Sequence, residues 1–249
     1  MRILLFAGRN TKEILRDLLN LVFGLGFPLI LLALLSAINA AIPVEANNPM
    51  FTIENLAPGL AMFGTVFMSL FAGMLLAKDR TSSFLMRLFT SPMTSTDFIL
   101  GYTLPMLVMV AAQAAITLLA AGIWGLAITP YILVAVLMTM LTSLLFIGIG
   151  LLTGSLMNDK AVGGVCGALL TNVAGWLSGI FIPIDLIGGA FKTISEALPF
   201  YHSVQAIGTV LQGNYDGLLS HLLVVLAYTV IIFVLAIWAF YRKMRGDKV

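Results

Sequence analysis

The stretch YILVAVLMTMLTSLLFIGIGLLTGSL, residues 131–156, contains no charged side chain. An α-helix rises about 1.5 Å per residue, so a helix of this length can cross the roughly 30 Å hydrocarbon core of a bilayer. The rest of the chain is similar, since 60% of its 249 residues are hydrophobic, 10% are charged and the mean hydropathy is +1.06. Soluble globular domains carry about 25% charged residues. The sequence therefore predicts an integral membrane protein.

Six segments of the chain are long and apolar enough to span a membrane. They cover about residues 18–41, 57–77, 98–123, 131–156, 162–184 and 219–241. The predicted fold is an all-α membrane protein, a single domain with six transmembrane helices. An amphipathic connecting helix over 1–17 precedes them, a loop over 78–97 joins the second and third spans, and a re-entrant extracellular segment over 185–218 precedes the last span.

The N-terminal segment has the pattern of a helix that lies in the membrane interface. Asn10 and Glu13 have the spacing of a capping box, which marks the start of a helix. Four apolar side chains share one face of this helix. They are Ile14, Leu15, Leu18 and Leu19. A basic N-terminus that only adds solubility is the alternative interpretation.

Lysine and arginine are distributed unevenly between the two sides of the membrane. An even number of spans puts both termini on one side, and of the 13 Lys and Arg residues only Lys192 falls in the segments assigned to the other side. Cytoplasmic loops of membrane proteins carry an excess of Lys and Arg. We therefore expect a multi-pass protein of the plasma membrane with cytoplasmic N- and C-termini and a cytoplasmic loop over 78–97.

Several kinds of chemical site are missing from the sequence. No lysine follows a glycine, so the chain has no P-loop for ATP. His202 and His221 have no Cys, Glu or second His at helical spacing, so we expect no metal site. Cys166 is the single cysteine, which excludes an intrachain disulfide.

The middles of the six predicted spans contain no ionisable side chain. A carrier driven by protons or sodium usually needs such a group near the midplane, where it costs roughly 2.5–3.5 kcal/mol to insert. We therefore expect that the chain is not an enzyme, and that its energy source lies outside the membrane or that it has none.

The loop KDRTSSFLMRLFTSPM, residues 78–93, surrounds a short apolar run with charges. Four apolar side chains recur there at helical spacing. They are Phe84, Leu85, Leu88 and Phe89. Arg87 lies on the opposite face of this short helix, and Pro92 ends it. Two interpretations fit: a hairpin with ordinary interfacial charges, or a helix that docks into a cytoplasmic partner and transmits its motion.

The order of motifs along the whole chain resembles the membrane subunit, or permease, of the ABC-2 type exporter family. An N-terminal group followed by Phe27 and Pro28 resembles the start of the family's connecting helix. It consists of Arg9, Asn10, Lys12, Glu13, Arg16 and Asp17. A second group resembles the family's intracellular segment Gly-Thr-Leu-Glu-x-Leu-x-x-Ser-Pro. It consists of Leu85, Arg87, Leu88, Ser91 and Pro92, with Ser83, Phe84 and Met86 in place of the Gly, Thr and Glu.

A third group resembles the family's signature Gly-x-x-x-Pro followed by Leu-x-Pro-x-x-Tyr-x-x-Glu-Ala. It consists of Leu177, Ser178, Gly179, Phe181 and Pro183, and then Leu198, Pro199, Tyr201, Gln205 and Ala206. Gln205 stands where the family commonly has an acid.

The resemblance implies a permease that exports a hydrophobic or amphipathic compound such as a drug, an antimicrobial peptide or a lipid. It implies a homo- or heterodimer of permease chains in the lipid bilayer, bound to two copies of a cytoplasmic ABC ATPase that hold the ATP and Mg. No cofactor in this chain and no nucleic acid partner are expected. The residues expected to couple to the ATPase are Arg16, Arg80, Phe84, Leu85, Arg87, Leu88 and Phe89. A non-transporting scaffold is the alternative, followed by an ion-coupled carrier.

By the same resemblance, the second and fifth spans would line a cavity between two protomers. The substrate-pathway candidates are Phe63, Phe67, Met68, Phe71, Asn172 and Phe181. Ordinary lipid-facing or core packing is the favoured explanation of the phenylalanine row, and an interhelical hydrogen bond is the favoured explanation of Asn172. Glycines at four-residue steps in the fifth span predict a face where another helix approaches closely. They are Gly163, Gly167, Gly175 and Gly179.

Overall fold

The computed structural model describes residues 2–42, 51–88 and 92–246, and every element in these ranges is helical. The α-helices before the middle of the chain are α1 (Arg2–Arg16), α2 (Leu18–Leu21), α3 (Phe27–Ala41), α4 (Ile53–Thr81), α5 (Ser83–Leu88) and α6 (Ser95–Ala121). Those that follow are α7 (Tyr131–Leu156), α8 (Asp159–Val162), α9 (Thr171–Leu177), α10 (Ile184–Ile187), α11 (Gly189–Ala197), α12 (Pro199–Leu211) and α13 (Leu218–Gly246). Two π-helical segments, Val22–Gly26 and Gly163–Leu170, precede α3 and α9 without a break.

Within the described ranges, five helices are long and apolar enough to cross a membrane. They cover Val22–Ala41, Ile53–Thr81, Ser95–Trp124, Tyr131–Leu156 and Leu218–Met244. These helices correspond to the first, second, third, fourth and sixth predicted spans, which confirms an all-helical protein with membrane-spanning segments.

The predicted fifth span, 162–184, is not among these five helices. The chain is helical from Asp159 through the second π-helical segment to Leu177, and it stops short of the predicted end. Gly179 has a φ of +83°, a left-handed conformation that glycine adopts readily and that commonly ends a helix. The helix therefore ends at the glycine that the sequence pattern had placed inside it.

The segment before the last span folds into α10, α11 and α12, and α12 packs against α4, α7 and α13. Side-chain contacts of His202, Tyr201 and Tyr228 join this region to α13. His202 Nδ1 lies 2.7 Å from His221 Nδ1, and Tyr228 donates a hydrogen bond to the Ala197 carbonyl at 3.1 Å. The histidine contact gave no signal in the sequence, because the two residues are 19 positions apart on different helices.

Helix α4 is the centre of the bundle. In its apolar stretch 89% of the residues are buried, against 22% in each of Val22–Ala41 and Leu218–Met244. It packs against α3, α6, α7, α12 and the second π-helical segment. Every other long helix therefore takes its position relative to α4, directly or through α6 and α7.

The closest approach in the bundle is between α4 and α7, at three glycines. A Cβ atom on Gly73 would lie 2.6 Å from the Gly150 carbonyl oxygen. Cβ atoms on Gly150 and Gly154 would overlap the backbone oxygens of Ser69 and Gly73. Gly150 and Gly154 form a Gly-x-x-x-Gly pair, a pattern that allows two membrane helices to approach until their backbones touch.

We expect Gly150→Ala to destabilise the protein, because the added methyl group meets backbone of α4 that cannot rotate away. Forcing a methylene into a closely packed interior costs about 1–3 kcal/mol. Thermal unfolding of the detergent-solubilised protein measures this as a lower Tm. Gly164→Ala is the matched control, since a Cβ atom there meets nothing within 4 Å. Equal loss of Tm in both variants would contradict the close α4–α7 contact.

Candidate functional site

One end of the bundle, which we call the basic end, carries Lys78, Arg80, Lys160 and Arg242. Both ends of the described chain reach it. Arg2 of α1 donates a hydrogen bond to the Pro92 carbonyl at 3.1 Å, just before α6 begins. Ser95 Oγ of α6 lies 3.3 Å from Met244 Sδ near the end of α13. The basic end therefore gathers α1, α5, the end of α4, the start of α6 and the end of α13.

Helix α1 lies against α6 with a face that differs from the predicted one. Its buried residues are Phe6, Ala7, Asn10 and Ile14, which recur at steps of one, three and four. Of the side chains predicted to share one apolar face in the membrane interface, Ile14 is buried, whereas Leu15 and Leu18 are 53% and 72% exposed. The side chain of Leu19 lies outside the described residues.

The predicted capping box at Asn10 and Glu13 is also wrong, because α1 begins at Arg2 and Asn10 is in its middle. Asn10 is fully buried, and its side chain donates a hydrogen bond to the Gly101 carbonyl of α6 at 3.1 Å. Glu13 forms an ion pair with Arg9, one turn earlier, at 2.5 Å. The polar spacing reflects contacts of a continuous helix and not its start.

A partly buried ion pair holds α1 to the end of α4. Arg9 donates from Nη1 to Asp79 Oδ2 at 2.5 Å and from Nη2 to Asp79 Oδ1 at 3.0 Å. This two-pronged geometry is the strong form of an arginine–carboxylate contact. Asp79 is only 3% exposed, so its charge needs these donors to compensate for lost hydration.

Helix α6 completes the contacts of Asp79. The Tyr102 hydroxyl donates to Asp79 Oδ2 at 2.8 Å. Burial lowers the pKa of Arg9, but the hydrogen bond to Asp79 and the charge of Asp79 outweigh burial and raise the pKa. Arg9 therefore remains charged, and one carboxylate joins α1, α4 and α6.

Aromatic side chains surround the ion pair and extend it to α5. The Arg9 guanidinium lies 4.2 Å from the centre of the Phe84 ring, a cation–π contact. The Phe6 ring lies 6.5 Å from Phe84 and 5.0 Å from Tyr102, measured between ring centres. Leu85, the next residue of α5, is fully buried. The apolar face of α5 therefore packs against other helices of the same chain.

Arg80 also makes contacts within the chain. Its guanidinium donates hydrogen bonds to the backbone carbonyls of Ser155 and Met157, the latter at 2.8 Å. These carbonyls belong to the C-terminal end of α7, where a cation is favourable. Arg80 therefore holds α7 to α4, just as Arg9 holds α1 to α4.

The other predicted coupling residues are placed as follows. Leu88 is half-buried and packs against the core, and Arg16 is exposed at the end of α1. Arg87 is on α5, but its side chain is outside the described part of the chain, and so is the whole of Phe89. The coupling role of all seven residues stays a prediction. For Phe84 and Leu85 that role would consist of anchoring α5, because their side chains face inward.

The phenylalanine row of the second span is buried on α4. Phe63 and Phe67 contact Phe27 of α3, with 5.1 Å between the ring centres of Phe27 and Phe67. On the other side Phe63 meets Phe181, which follows α9, at 5.5 Å. Met68 is fully buried, and Phe71 is 6% exposed. These candidates lie between elements of one chain and do not face lipid.

The fifth predicted span places its candidates apart from one another. Asn172 is exposed and donates a hydrogen bond to the Ala168 carbonyl of its own helix at 2.8 Å. A Cβ atom on Gly163 would meet nothing within 4 Å, whereas one on Gly167 would touch Leu70 of α4. Gly175 faces the Phe181 ring. The four-residue stripe assumed a regular α-helix, but the π-helical segment changes the register of the glycines before α9.

At the opposite end of the bundle, two of the sequence motifs meet. A cleft of about 260 Å³ lies between the turn after α9 and the face of α12. Gly179 and Pro183 line it from the first motif, and Tyr201 and Gln205 from the second. The spacing of these motifs thus corresponds to one place in the fold.

The family model of ABC-2 type transporters matches residues 1–211. The chain belongs to the ABC-2 type transporter family. A search of curated proteins found no significant match. As an ABC-2 protein, the chain is a membrane component of a transport system.

Sequence reasoning missed the residues that organise the basic end of this ABC-2 protein. Arg9 and Asp79 are 70 positions apart, and Tyr102 belongs to a third helix, α6. One signal was present, because Asp79 is an acid between two basic residues at the end of a span. Its partner could not be named from the sequence, which offers several basic residues at that end.

We expect Asp79→Asn to lower the Tm of the detergent-solubilised ABC-2 protein. The amide keeps the shape but leaves Arg9 without its main counter-charge, at a cost of about 1–3 kcal/mol. The matched control is Asp185→Asn, whose carboxylate pairs with Lys192 at 2.7 Å but is 81% exposed. Exposed pairs contribute at most about 1 kcal/mol. If both substitutions change the Tm equally, the Arg9–Asp79 contact does not stabilise α1.

Proposed function

We propose that this ABC-2 protein is the permease subunit of an ATP-driven exporter. It moves a hydrophobic or amphipathic compound, such as a drug, an antimicrobial peptide or a lipid, out of the cell. A separate cytoplasmic ATPase, which holds the ATP and Mg, drives it, as is normal for the family. The observation that carries the proposal is the Arg9–Asp79 ion pair, which links a helix outside the spans to the central helix of the bundle.

The distribution of charge supports a cytoplasmic location for the basic end. Lys78, Arg80, Lys160 and Arg242 lie at this end, whereas Lys192 lies on α11 beyond the other end of α9. Lys and Arg are enriched on the cytoplasmic side of membrane proteins. The ATPase would therefore meet α1 and α5.

The path of the chain supports a sixth crossing through α8, the second π-helical segment and α9. Met157, just before α8, contacts Arg80 at the basic end. Phe181, just after α9, contacts Phe63 in the first half of α4, far from the basic end. The helical run Asp159–Leu177 between them is about 28 Å long at 1.5 Å per residue. An even number of crossings would also place α1 and the end of α13 on the same side of the membrane, in agreement with their common position at the basic end.

The contacts at the basic end provide a route for motion. Displacement of α1 or α5 would be transmitted to α4 through Asp79. It would be transmitted further to α6 through Tyr102 and to α7 through the Arg80 contacts. Asp79 is buried, so breaking its contacts would cost free energy. These helices would therefore move together. A rigid, hydrogen-bonded connection of this kind can carry coupling between distant sites.

Central helix α4 connects that route to the proposed substrate pathway. Asp79 and the row Phe63, Phe67 and Phe71 belong to the same continuous helix. The flat rings and the flexible Met68 are buried between helices of this chain, and they would suit apolar compounds of varied shape once those helices separate. A second permease chain, either a copy or a different protein, would complete the pathway, and two ATPase copies would serve the pair.

We expect the permease, purified with its ATPase and reconstituted in inside-out vesicles, to accumulate a lipophilic substrate only when ATP is present. Arg87→Ala should lower transport per ATP hydrolysed by about fivefold or more, because arginines at protein interfaces commonly contribute over 1 kcal/mol. Arg242→Ala is the matched control, since its guanidinium lies 4.6 Å from the Trp238 ring on α13 and not on α5. Transport by the purified chain in an ion gradient without nucleotide would refute the proposal.

A further inference from the structure

A cleft of about 470 Å³ opens at the basic end between α1, α4 and α8. Its volume is in the range of ligand pockets in proteins, about 300–1,000 Å³. Three separate parts of the chain form its walls, and all three belong to the proposed route of motion or lie next to it.

The rim of the cleft carries charges of both signs. Arg16 and Lys78 are cationic, and Asp17 and Asp159 are anionic. Glu13 also lines the cleft, but its charge is paired with Arg9. In the described part of the chain, neither Arg16 nor Lys78 forms an ion pair within 4 Å. Both cations therefore remain able to bind an anionic group of a ligand.

Asp159 is an exposed acid on the opposite wall, at the first turn of α8. Its carboxylate accepts a hydrogen bond from the backbone N–H of Lys160 at 2.9 Å, which leaves other acceptor positions open. A cationic group of a ligand would be favourable beside it. The two walls together match a head group that carries one positive and one negative charge.

The floor of the cleft is apolar and continues into the bundle. Phe71 and Leu75 of α4 are buried beneath it, while Met74 and Leu18 are 38% and 72% exposed. Exposed apolar side chains next to a charged rim favour an amphiphile, with the head group at the rim and the alkyl chain along the floor. Phe71 is the last member of the row that begins at Phe63, so the floor leads towards the proposed substrate pathway.

The first π-helical segment shapes this floor. A Cβ atom on Gly24 would lie 2.6 Å from Met68 Cε and 3.2 Å from the Phe71 ring. The second π-helical segment meets the other side of α4, where Gly167 faces Leu70. π-Helical segments are rare and frequently occur at functional sites. Both π-helical segments contact the turn of α4 that contains Met68, Leu70 and Phe71, next to the cleft.

We propose that this cleft binds the head group of a zwitterionic lipid from the membrane leaflet. Lys78 and Arg16 contact its phosphate, Asp159 contacts its ammonium, and its alkyl chain lies against Leu18 and Met74. The site would be where the exporter first takes up its substrate, and in that respect the inference rests on the proposed function. Binding itself needs neither ATP nor the ATPase.

Photolabelling tests the binding site directly. The purified full chain in detergent is labelled with a diazirine derivative of lysophosphatidylethanolamine, and the labelled peptides are mapped by mass spectrometry. Label is expected within residues 13–18 and 71–78. Unlabelled lysophosphatidylethanolamine should compete at concentrations at which lysophosphatidylglycerol and an alkyltrimethylammonium do not, because each of these carries only one of the two charges.

Two substitutions remove one charge from each wall. Lys78→Gln and Asp159→Asn should each reduce labelling about fivefold, the loss expected for one ion pair of about 1 kcal/mol. Both residues are exposed, so the Tm should not change. Lys160→Gln is the matched control, because Lys160 is also exposed but does not line the cleft.

Three results would overturn the proposal: label spread evenly over the lipid-facing helices, equal competition by the anionic lysolipid, or unchanged labelling in both variants. None of them bears on ATP-driven transport, which is measured separately with the ATPase. If ATP-driven transport were absent while the cleft was still labelled, the proposed function would be refuted but the lipid site would not.

Discussion

The Arg9–Asp79 ion pair is the contact on which the basic end depends. A carboxylate that is 3% exposed is costly to bury unless donors replace the lost water. Arg9 supplies two of these donors and Tyr102 a third, so Asp79 is satisfied only when α1 and α6 are both in place. The same contact that stabilises α1 against the spans therefore makes α1 mechanically part of them.

Helix α4 combines the structural and the proposed functional contacts of the molecule. Gly73 lets α7 approach until the backbones touch, while Phe63 and Phe67 pack towards α3. Asp79 lies in the last turn of this helix, at the end where α1 and α5 lie. Because these residues belong to one continuous helix, a displacement at its basic end would be transmitted along its length. This helix is the most buried of the five long helices in the described part of the chain, with 89% of its apolar stretch buried.

The candidate site was only partly predictable from the sequence. The short helix α5 and its apolar face were predicted from spacing, but spacing did not say that Leu85 and Phe84 would face their own chain. Their inward orientation follows from Phe6 and Arg9 of α1, which occupy the surface that a partner was expected to cover. The glycine stripe of the fifth span stays a prediction, and a π-helical segment alters the periodicity on which it was based.

Hydropathy and charge are local properties of a chain, and they determined by themselves that this is an all-helical membrane protein, where its long spans lie and which end is basic. Contacts between distant segments depend on which face each helix presents to its neighbours. Only the tertiary structure decided that Asp79 pairs with Arg9, that Gly150 and Gly154 meet α4, and that Asn10 turns inward. Each of these joins residues on different helices, and the physical reason for each is complementarity of charge, size or hydrogen bonding that no local pattern encodes.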